Sequence, residues 1–462
     1  MKRIPLCLIV FALVGCSILA PESEPTPTST PQPTSISTPT PLGLSLQVGN
    51  DLPPTRLSPD LSTELLDNHI GVHFEHYDRY SDTEHVYRNG FKWIRIQSLT
   101  EFWGEGNDLL TFSLESIPPS VDEIISDYVD HGVNIVLDLW MGAGLRPYGT
   151  TFQSEEEIDR YLDYVRFVVP HFRGRIHYYQ IWNEPGDIAV SDYANLVRQV
   201  VPVIREEDPE ARIIIGGMQG NWDNGYPGYG DYQRFSVDMV YLNELLRSGV
   251  VQMVDGISWH PFYDNIPEDP YYQRYPQTVQ EIKALAASQG FTGEYFADEL
   301  LWRTVSEENW DGGPPVSPNI AAKYYVRAIV MHRGLDTNVT INTFFQEAAL
   351  APIRNTCYVM AGAEPTDLTV SLEGEADNVR YYAFSLPDGD RLVALWTNGE
   401  AVEDDPGVRT TLTIVGTTAQ RVIGIDVYNS LEQELAAEPE NGSLVIRDLL
   451  VRDYPIILRL ID

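Results

Sequence analysis

The stretch YYQIWNEPG, residues 178–186, describes a short buried strand that ends abruptly in a polar loop. Its apolar and aromatic residues favour a strand covered on both faces, as in a parallel sheet. Pro185 lacks a backbone N–H and cannot continue a β-ladder, so the strand ends beside it and the direction of Glu184 is fixed. The strand end therefore presents the amide of Asn183, the carboxyl group of Glu184 and the indole of Trp182 together.

Further apolar runs of similar length recur along the chain, and longer amphipathic segments separate them. These runs are HIGVHF (69–74), FKWIRIQ (91–97), VNIVLDLW (133–140), ARIIIGGM (211–218), DGISWHPF (255–262), EYFADELLW (294–302) and VTINTFF (339–345). Several of the intervening segments end in glycine, the usual helix stop. Strands that alternate with helices in this way predict a closed parallel (β/α)₈ barrel over residues 51–364. An open doubly wound sheet is the alternative, although no glycine-rich phosphate loop follows the early strands.

After about Glu364 the pattern changes to short strands that are separated by turns, with no long helix between them. RLVALWTN (391–398) and YPIILRL (454–460) are two of these strands. The pattern predicts a small antiparallel β-sandwich over residues 365–462, packed on one flank of the barrel. The short stretch Leu42–Val48 is a candidate for an additional strand of this sandwich.

The N-terminus has the features of an export signal. Two basic residues precede an apolar run, Ile4–Val14, that is too short to remain as a membrane-spanning helix. The run ends in LVGC (13–16), which resembles the lipobox of bacterial lipoprotein signals. That resemblance implies that residues 1–16 are the signal and that Cys16 carries a lipid. An ordinary secretory signal is the alternative, and both interpretations predict export.

Residues 17–50 are rich in Pro, Thr and Ser and predict a disordered linker. We therefore expect the folded part to be attached to a bacterial membrane through the N-terminal lipid alone, facing the cell exterior or the periplasm. Beyond the signal and Cys16, the only cysteine of the sequence is Cys357, so neither an intramolecular disulfide nor a cysteine-based metal site is expected.

The composition narrows the range of partners. The chain has 31 Lys and Arg residues against 67 Asp and Glu residues, a formal charge of −36. Such a chain repels phosphate backbones, so a nucleic-acid partner is not expected, and a neutral substrate is compatible with the charge.

In a (β/α)₈ barrel the active site lies at the C-terminal ends of the strands, and the polar and aromatic residues of this chain collect there. Candidates at this edge, besides the residues of the fourth strand, are Arg95, Trp140, His260, Tyr263, Glu299 and Trp302. Cleavage of a glycosidic bond needs two carboxyl groups, and Glu184 supplies one. Glu299 is the favoured second, with Asp298 as its rival. If Ala297 points into the barrel, strand alternation turns Glu299 inward and Asp298 toward the helices.

With these residues in place, the chain resembles the clan A retaining glycoside hydrolases, in particular families 39 and 5. These are (β/α)₈ enzymes with an Asn-Glu pair ending strand four and a nucleophilic Glu ending strand seven. The resemblance implies that Glu184 is the acid/base and Glu299 the nucleophile. It also implies that Asn183 holds a sugar hydroxyl, that Arg95 steadies the charge of Glu299, and that His260 matches the histidine ending strand six. Trp182, Trp140 and Trp302 are candidate sugar-binding aromatics.

Two positions depart from the family pattern. Strand six of the family often reads His, any residue, then Tyr, with the tyrosine bonded to the nucleophile. Here that position is Phe262 and the tyrosine follows at Tyr263. The tryptophan that strand eight often carries is replaced by the run TFFQE (343–347).

The sequence thus predicts a retaining enzyme that cleaves β-glycosidic bonds of an oligo- or polysaccharide by double displacement at the cell surface, with no metal or cofactor. A non-catalytic glycan-binding lipoprotein on the same barrel is the alternative from another functional class. The presence of both carboxyl groups and of Arg95 argues against it.

Overall fold

The computed structural model describes residues 45–74, 82–97, 99, 116–141, 150–219, 240–304, 315–342, 347–374 and 378–462. Residues Ser45–Asp462 form one compact unit. The predicted signal, Cys16 and the linker up to residue 44 lie outside the described residues. None of the helices in the described ranges combines the length and hydrophobicity needed to span a bilayer.

The described part contains twenty-one strands and eight α-helices. The strands are β1 (Thr55–Arg56), β2 (Ile70–His73), β3 (Trp93–Ile96), β4 (Asn134–Asp138), β5 (Tyr178–Ile181), β6 (Arg212–Gln219), β7 (Gly256–His260), β8 (Phe262–Tyr263), β9 (Glu294–Ala297), β10 (Leu300–Leu301), β11 (Asn338–Asn342), β12 (Glu364–Pro365), β13 (Thr369–Gly374), β14 (Val379–Ser385), β15 (Arg391–Thr397), β16 (Val408–Val415), β17 (Arg421–Asp426), β18 (Leu431–Glu434), β19 (Glu438–Glu440), β20 (Ser443–Val451) and β21 (Ile456–Ile461). The helices are α1 (Thr83–Arg88), α2 (Pro119–Asp130), α3 (Glu155–Phe172), α4 (Val190–Glu207), α5 (Val240–Arg247), α6 (Pro270–Ser288), α7 (Pro318–Gly334) and α8 (Glu347–Val359).

Eight parallel strands close into a barrel in the order β11-β2-β3-β4-β5-β6-β7-β9. The strands follow one another around the barrel in chain order, and β11 closes it by pairing with β2 in parallel. This architecture confirms the predicted (β/α)₈ barrel and excludes the open sheet. The strands are buried on both faces, as in β2, β3 and β7, because helices cover the outside and side chains fill the interior.

Helix α3 illustrates how the sequence positions the outer layer. The Ser154 side chain accepts a hydrogen bond from the backbone N–H of Glu157, and the Glu157 side chain accepts one from the N–H of Ser154. This capping box fixes the start of the helix. The buried residues then recur every three or four positions and form one apolar stripe: Ile158, Tyr161, Leu162, Val165, Val168, Val169 and Phe172.

A layer of apolar side chains fills the middle of the barrel: Trp93, Val136, Ile214 and Phe296, with Tyr178 packed against them. Because strand side chains alternate, the next inward residues lie one layer closer to the C-terminal edge. Two residues after Phe296, Asp298 is directed inward, to 3.3 Å from Arg95 Nε. The alternation that we predicted for this strand was therefore wrong, because Phe296 and Asp298, not Ala297, point into the barrel.

The C-terminal region forms two antiparallel sheets, in the orders β1-β18-β17-β21-β15-β14-β12 and β13-β16-β20-β19, as predicted for a small sandwich. Residues from the N-terminal side join it. Strand β1 pairs with β18, and Gln47 forms an isolated bridge with Leu449. Residues 45–50 are packed on this sandwich, with Leu46 buried. This agrees with the expectation that Leu42–Val48 adds to the sandwich, as far as those residues are described, and corrects the assignment of residues 45–50 to the disordered linker.

Helix α7 packs against the sandwich through buried charged residues. Lys323 Nζ lies 2.9 Å from Asp453 Oδ1, and both side chains are almost fully buried. Arg327, on the same helix, donates from Nε to the backbone carbonyl of Asp453. The sandwich therefore covers one flank of the barrel, as expected, and polar contacts fix its position there.

Candidate active site

The backbone turns sharply where β5 ends, and Glu184 lies in this turn. Trp182 and Glu184 both have positive φ angles, of 68° and 46°. Residues other than glycine rarely adopt this conformation, so the surroundings must hold it. The hydroxyl of Tyr193 donates to the carbonyl of Ile181 at 2.6 Å, just before the turn, and a short 3₁₀ helix begins at Pro185, just after it.

The other carboxyl group follows β9, the seventh barrel strand. Strand β10 pairs in parallel with β8, so that Leu301 lies opposite Tyr263. This pairing brings the hydroxyl of Tyr263 to 2.8 Å from Glu299 Oε1, to which it donates. Pro261 separates β7 from β8, and Phe262 packs in the core against Trp302. Tyr263 therefore makes the contact that the family pattern assigns to the strand-six tyrosine, although it lies one position later.

Glu184 and Glu299 lie on either side of a small polar cluster. Together with His260 they are a group, among the described residues, whose potential metal-ligand atoms all lie within 4.8 Å of one another. Hydrogen bonds link the cluster internally. His260 Nδ1 lies 2.8 Å from Glu184 Oε1, and the Tyr263 hydroxyl is 3.3 Å from the same oxygen. Such short separations suit two carboxyl groups that act on the same bond.

Arg95 is fully buried and connects several polar groups below the two carboxyls. Its guanidinium donates to Glu299 Oε2 at 3.2 Å, to Asp138 Oδ2 at 3.0 Å and to Asn183 Oδ1 at 2.7 Å. The planar guanidinium presents its N–H groups in a fixed fork, so these contacts fix the positions of their partners. Because Oδ1 of Asn183 is bonded to Arg95, the amide NH₂ of Asn183 is directed to the other side of the side chain.

The electrostatics favour an ionised Glu299. Burial alone would raise its pKa, but the positive charges of His260, His73 and Arg95 and the hydrogen bond from Tyr263 outweigh burial and lower the pKa to about 2. Burial lowers the pKa of His73 to about 4, so His73 is neutral at neutral pH. Arg95 is then the permanent positive charge beside Glu299.

His260 is fully buried and has the opposite balance. Burial acts to lower its pKa, but the carboxylates of Glu299, Glu184 and Asp298 outweigh burial and raise it. The imidazole therefore retains its second proton to higher pH than an exposed histidine does. It contacts Glu184 directly, so the two groups can exchange a proton.

Glu299 and its predicted rival Asp298 differ in accessibility. The Glu299 side chain is 13% exposed, whereas that of Asp298 is 2% exposed. Asp298 lies behind Arg95 and His260, where a substrate does not reach it. Of the two carboxyl groups, Glu299 is therefore the more accessible one.

Two of the predicted sugar-binding aromatics are core residues. Trp182 is 3% exposed, and its ring packs edge-on against the rings of Phe152 and Tyr161, with distances between ring centroids of 4.8 and 5.7 Å. Trp302 is fully buried and donates from its indole nitrogen to the carbonyl of Asn265 at 2.8 Å. Neither ring has a free face on which a sugar can stack, so these two predictions were wrong. Trp140 is half-buried and stays a candidate. Residues 343–346, in the run that replaces the family's strand-eight tryptophan, lie outside the described residues.

Sequence reasoning gave no role to two residues that the structure brings to the site. His73, the last residue of β2, has Nε2 at 4.0 Å from Glu299 Oε2. Asp138, the last residue of β4, pairs with Arg95. Both are the last residues of their barrel strands, at the edge where polar residues were expected to collect, so their position was predictable and only their contacts were not.

A close backbone approach makes room for these side chains. Gly217 in β6 has a φ of 68°. A methyl group at this position would lie 2.7 Å from Gln180 Nε2 and 3.3 Å from His260 Nε2. A residue with a side chain would therefore displace the groups that support the site.

Comparisons with known proteins agree with this geometry. The family model for cellulase, glycosyl hydrolase family 5, matches residues 63–243, a segment that contains Glu184. A search of curated proteins finds no match. Among solved structures, a family 39 glycoside hydrolase from the gut symbiont Bacteroides cellulosilyticus WH2 aligns with a TM-score of 0.61 at 16% identity, covering 87% of this chain and 83% of that one.

Two further structures align at similar levels. A family 5 glycoside hydrolase from Bacteroides vulgatus ATCC 8482 has a TM-score of 0.55 at 10% identity, covering 85% of this chain and 89% of that one. CelM2, a bifunctional glucanase-xylanase from a metagenome library, has a TM-score of 0.53 at 11% identity, covering 87% and 98%. At these identities the structural similarity shows the fold. Together with the family model, it confirms the resemblance to the clan A glycoside hydrolases that the sequence predicted.

Proposed function

We propose that the protein is a retaining glycoside hydrolase that cleaves β-glycosidic bonds of an oligo- or polysaccharide by double displacement. One observation carries the proposal: the carboxyl groups of Glu184 and Glu299 approach within 4.8 Å of each other. Retaining enzymes hold their two carboxyl groups roughly 5–5.5 Å apart, whereas inverting enzymes leave roughly 6.5–9.5 Å for a water molecule. The spacing here supports retention.

In the first step Glu299 attacks the anomeric carbon while Glu184 protonates the departing oxygen. The low pKa of Glu299 keeps the nucleophile ionised across the acid range. Arg95 and Tyr263 hold its two oxygens, Oε2 and Oε1 respectively, which fixes the direction of attack. The products of this step are the released sugar or alcohol and a covalent glycosyl–enzyme ester.

In the second step the same Glu184, now a carboxylate, removes a proton from water as the water attacks the anomeric carbon. The ester bond breaks and Glu299 leaves as a carboxylate, so the two inversions give net retention. His260 lies 2.8 Å from Glu184 and steadies it in both protonation states. None of these steps requires a metal ion or a cofactor.

The proposed substrate is a neutral, β-linked oligo- or polysaccharide. Asn183, turned by Arg95, is placed to hold a hydroxyl group of the sugar next to the cleaved bond. Trp140, half-buried after β4, is proposed to contact a sugar ring. Attachment to a membrane through a lipid on Cys16, with the barrel facing the cell exterior or periplasm, is part of the same proposal and rests on the LVGC motif.

A non-catalytic glycan-binding protein on the same barrel is the second candidate. It would not need the paired carboxyl groups, the buried arginine or the tyrosine that contacts both carboxyl groups. All of these are in contact here. The described residues therefore include groups that cleavage needs and that binding alone does not.

The experiment is hydrolysis of a panel of β-linked polysaccharides and aryl β-glycosides by the chain lacking residues 1–42, beside Glu184→Ala and Glu299→Ala. We expect activity in the parent and loss of about 10³-fold or more in Glu299→Ala, since the nucleophile is removed. Azide should restore turnover of Glu299→Ala with inverted configuration and of Glu184→Ala with retained configuration. Inverted products from the parent, or full activity in Glu299→Ala, would refute the mechanism. Glycan binding without turnover by the folded parent would favour the second candidate.

A further inference from the structure

Asp298 is a buried carboxyl group whose role the proposed reaction does not explain. Within the part of the chain that the structure describes, neither of its oxygens has a hydrogen-bond partner, and neither does Nε2 of His260. Asp298 Oδ1 lies 3.5 Å from that nitrogen, and Oδ2 lies 3.3 Å from Arg95 Nε. Burying a carboxyl group without hydrogen bonds is costly, so its presence here points to a function.

The position of Asp298 matters because His260 has carboxyl groups on both sides of its ring. Nδ1 of His260 contacts Glu184. Nε2 faces Asp298 Oδ1 at 3.5 Å and Glu299 Oε2 at 3.7 Å, and Glu299 also bonds to Arg95 and Tyr263. A neutral imidazole carries one proton, on either nitrogen. A carboxylate on the Nε2 side favours the proton there, so that Nδ1 can accept the proton of the Glu184 carboxyl group and return it.

We propose that Asp298 is a positioning residue, which holds a proton on Nε2 of His260 so that Nδ1 and Glu184 share the proton that reaches the leaving group. This inference rests on the proposed glycosidase mechanism for its effect on rate. Asp298 does not contact the substrate and acts only through His260. No bond is made or broken at Asp298, and the proton count of the reaction is unchanged.

The direction in which removal of the Asp298 charge changes the pKa of His260 can be predicted. A nearby negative charge raises the pKa of its neighbours, so Asp298→Asn should lower the pKa of His260. The other titratable and charged groups around His260 remain in that variant. They are Glu184 after β5, Tyr263 in β8, Glu299 after β9, Arg95 in β3 and His73 in β2.

Asp138→Asn is a matched control. Asp138 is also a fully buried carboxyl group paired with Arg95, through Nη2 at 3.0 Å, but it is on the β4 side and makes no described contact with His260. If Asp298 acts merely as a counter-charge for Arg95, the two variants should behave alike. If it acts through His260, only Asp298→Asn should change the titration of that histidine.

The first test is ¹⁵N NMR of the histidine rings in the protein, with His260 assigned by comparison with His260→Gln. In the parent, above the pKa of His260, we expect the remaining proton on Nε2. In Asp298→Asn the pKa of His260 should fall by about 1–3 units, the range for a charge at this distance, and in Asp138→Asn by less. A remaining proton on Nδ1 in the parent, or equal shifts in the two variants, would overturn the proposal. The proton position on His260 is measured in the parent protein, so this part of the test does not depend on whether a variant folds.

The second test is kinetic. In Asp298→Asn the basic limb of the pH profile of kcat/KM should move to lower pH. The loss of rate should reach about tenfold or more for substrates with poor leaving groups and be smaller for a dinitrophenyl glycoside, which departs without protonation. Equal losses for both leaving groups would contradict the proposal. If the NMR results are as expected but the protein hydrolyses no glycoside, the proposed role of Asp298 in positioning the His260 proton stands and the glycosidase mechanism is rejected.

Discussion

The hydroxyl of Tyr263 donates to the nucleophile, and its removal has a measurable consequence. Tyr263→Phe deletes one oxygen, 2.8 Å from Glu299 Oε1, in a side chain that is 8% exposed. A hydrogen bond to a charged group contributes about 1.5–3 kcal/mol. Because the bond is to the carboxylate and one pKa unit corresponds to about 1.4 kcal/mol, its loss should raise the pKa of Glu299 by about 1–2 units.

The assay is the acid limb of the pH profile of kcat/KM, which reports the ionisation of the free enzyme. With a Glu299 pKa of about 2 in the parent, that limb lies at the acid end of the pH range in which activity can be measured. A value of about 3–4 in the variant brings it into range: at pH 3 roughly 90% of Glu299 is ionised in the parent and roughly 10–50% in Tyr263→Phe. The limb belongs to the coupled pair of carboxyl groups, so the comparison is between apparent values.

Tyr275→Phe is the control for Tyr263→Phe. It removes the same atom from another buried tyrosine, whose hydroxyl accepts from Trp259 Nε1 at 2.7 Å and lies outside the carboxyl cluster. This variant should lose stability and leave the acid limb in place. An acid limb that does not move in Tyr263→Phe, or that moves equally in Tyr275→Phe, would refute the reasoning.

Three further predictions concern the framework of the site. Asp453→Asn leaves the buried charge of Lys323 without its partner, so the free energy of unfolding should fall by about 3 kcal/mol in a denaturant titration while KM is unchanged. Gly217→Ala should lower both kcat and the melting temperature, because φ is 68° and the new methyl group would lie 2.7 Å from Gln180 Nε2; full activity would show that the strand adjusts. Trp302→Phe should cost about 1–3 kcal/mol of stability, measured by unfolding, and leave KM close to that of the parent, whereas a raised KM would return Trp302 to the substrate site.

The barrel could be predicted because its strands follow simple physical rules. The run VNIVLDLW contains β4, Asn134–Asp138, and FKWIRIQ contains β3, Trp93–Ile96. Strands that are buried on both faces must be continuously apolar, and the polar residue at the end of each marks the edge of the barrel. Glu184 and Asn183 were identified in this way, whereas Arg95 lies within β3 and its role was implied by the family resemblance.

The errors occurred where side-chain direction, not residue type, decides the role. Trp182 is aromatic at a strand end, but its positive φ turns the ring outward to Phe152. Trp302 follows β10, and its ring is enclosed in the core. Residue composition does not show either turn, because both depend on where the chain leaves the regular strand.

The same limitation explains the error at β9. We predicted that Glu299 points inward by alternation with Ala297. The structure instead directs Asp298 inward, as alternation from Phe296 requires, and Glu299 reaches the site because regular pairing ends at Ala297. The prediction placed Glu299 at the site for a reason that the structure contradicts, and it missed the inward position of Asp298.

Adjacent carboxyl groups with opposite environments give the physical reason for assigning the nucleophile to Glu299. Burial raises the pKa of Asp298, despite the opposing charges of Arg95 and His260. Burial also acts on Glu299, but there the surrounding cations and the Tyr263 hydrogen bond prevail and lower the pKa. For Glu299 the folded-state pKa is depressed, so its ionisation stabilises the fold above its unfolded pKa, and this contribution is lost as the pH falls toward about 2.

For Asp298 the sign is reversed, since a raised pKa means that its ionisation opposes folding above the unfolded pKa. At neutral pH the ionised Asp298 therefore destabilises the fold, whereas the ionised Glu299, its neighbour in the chain, stabilises it. Such a contrast between adjacent carboxyl groups is expected in an active site where the two have different roles. Glu299, whose charge is stabilised and accessible, is suited to attack. Asp298, which is buried without hydrogen bonds to its side chain, is suited to influence which nitrogen of His260 carries a proton.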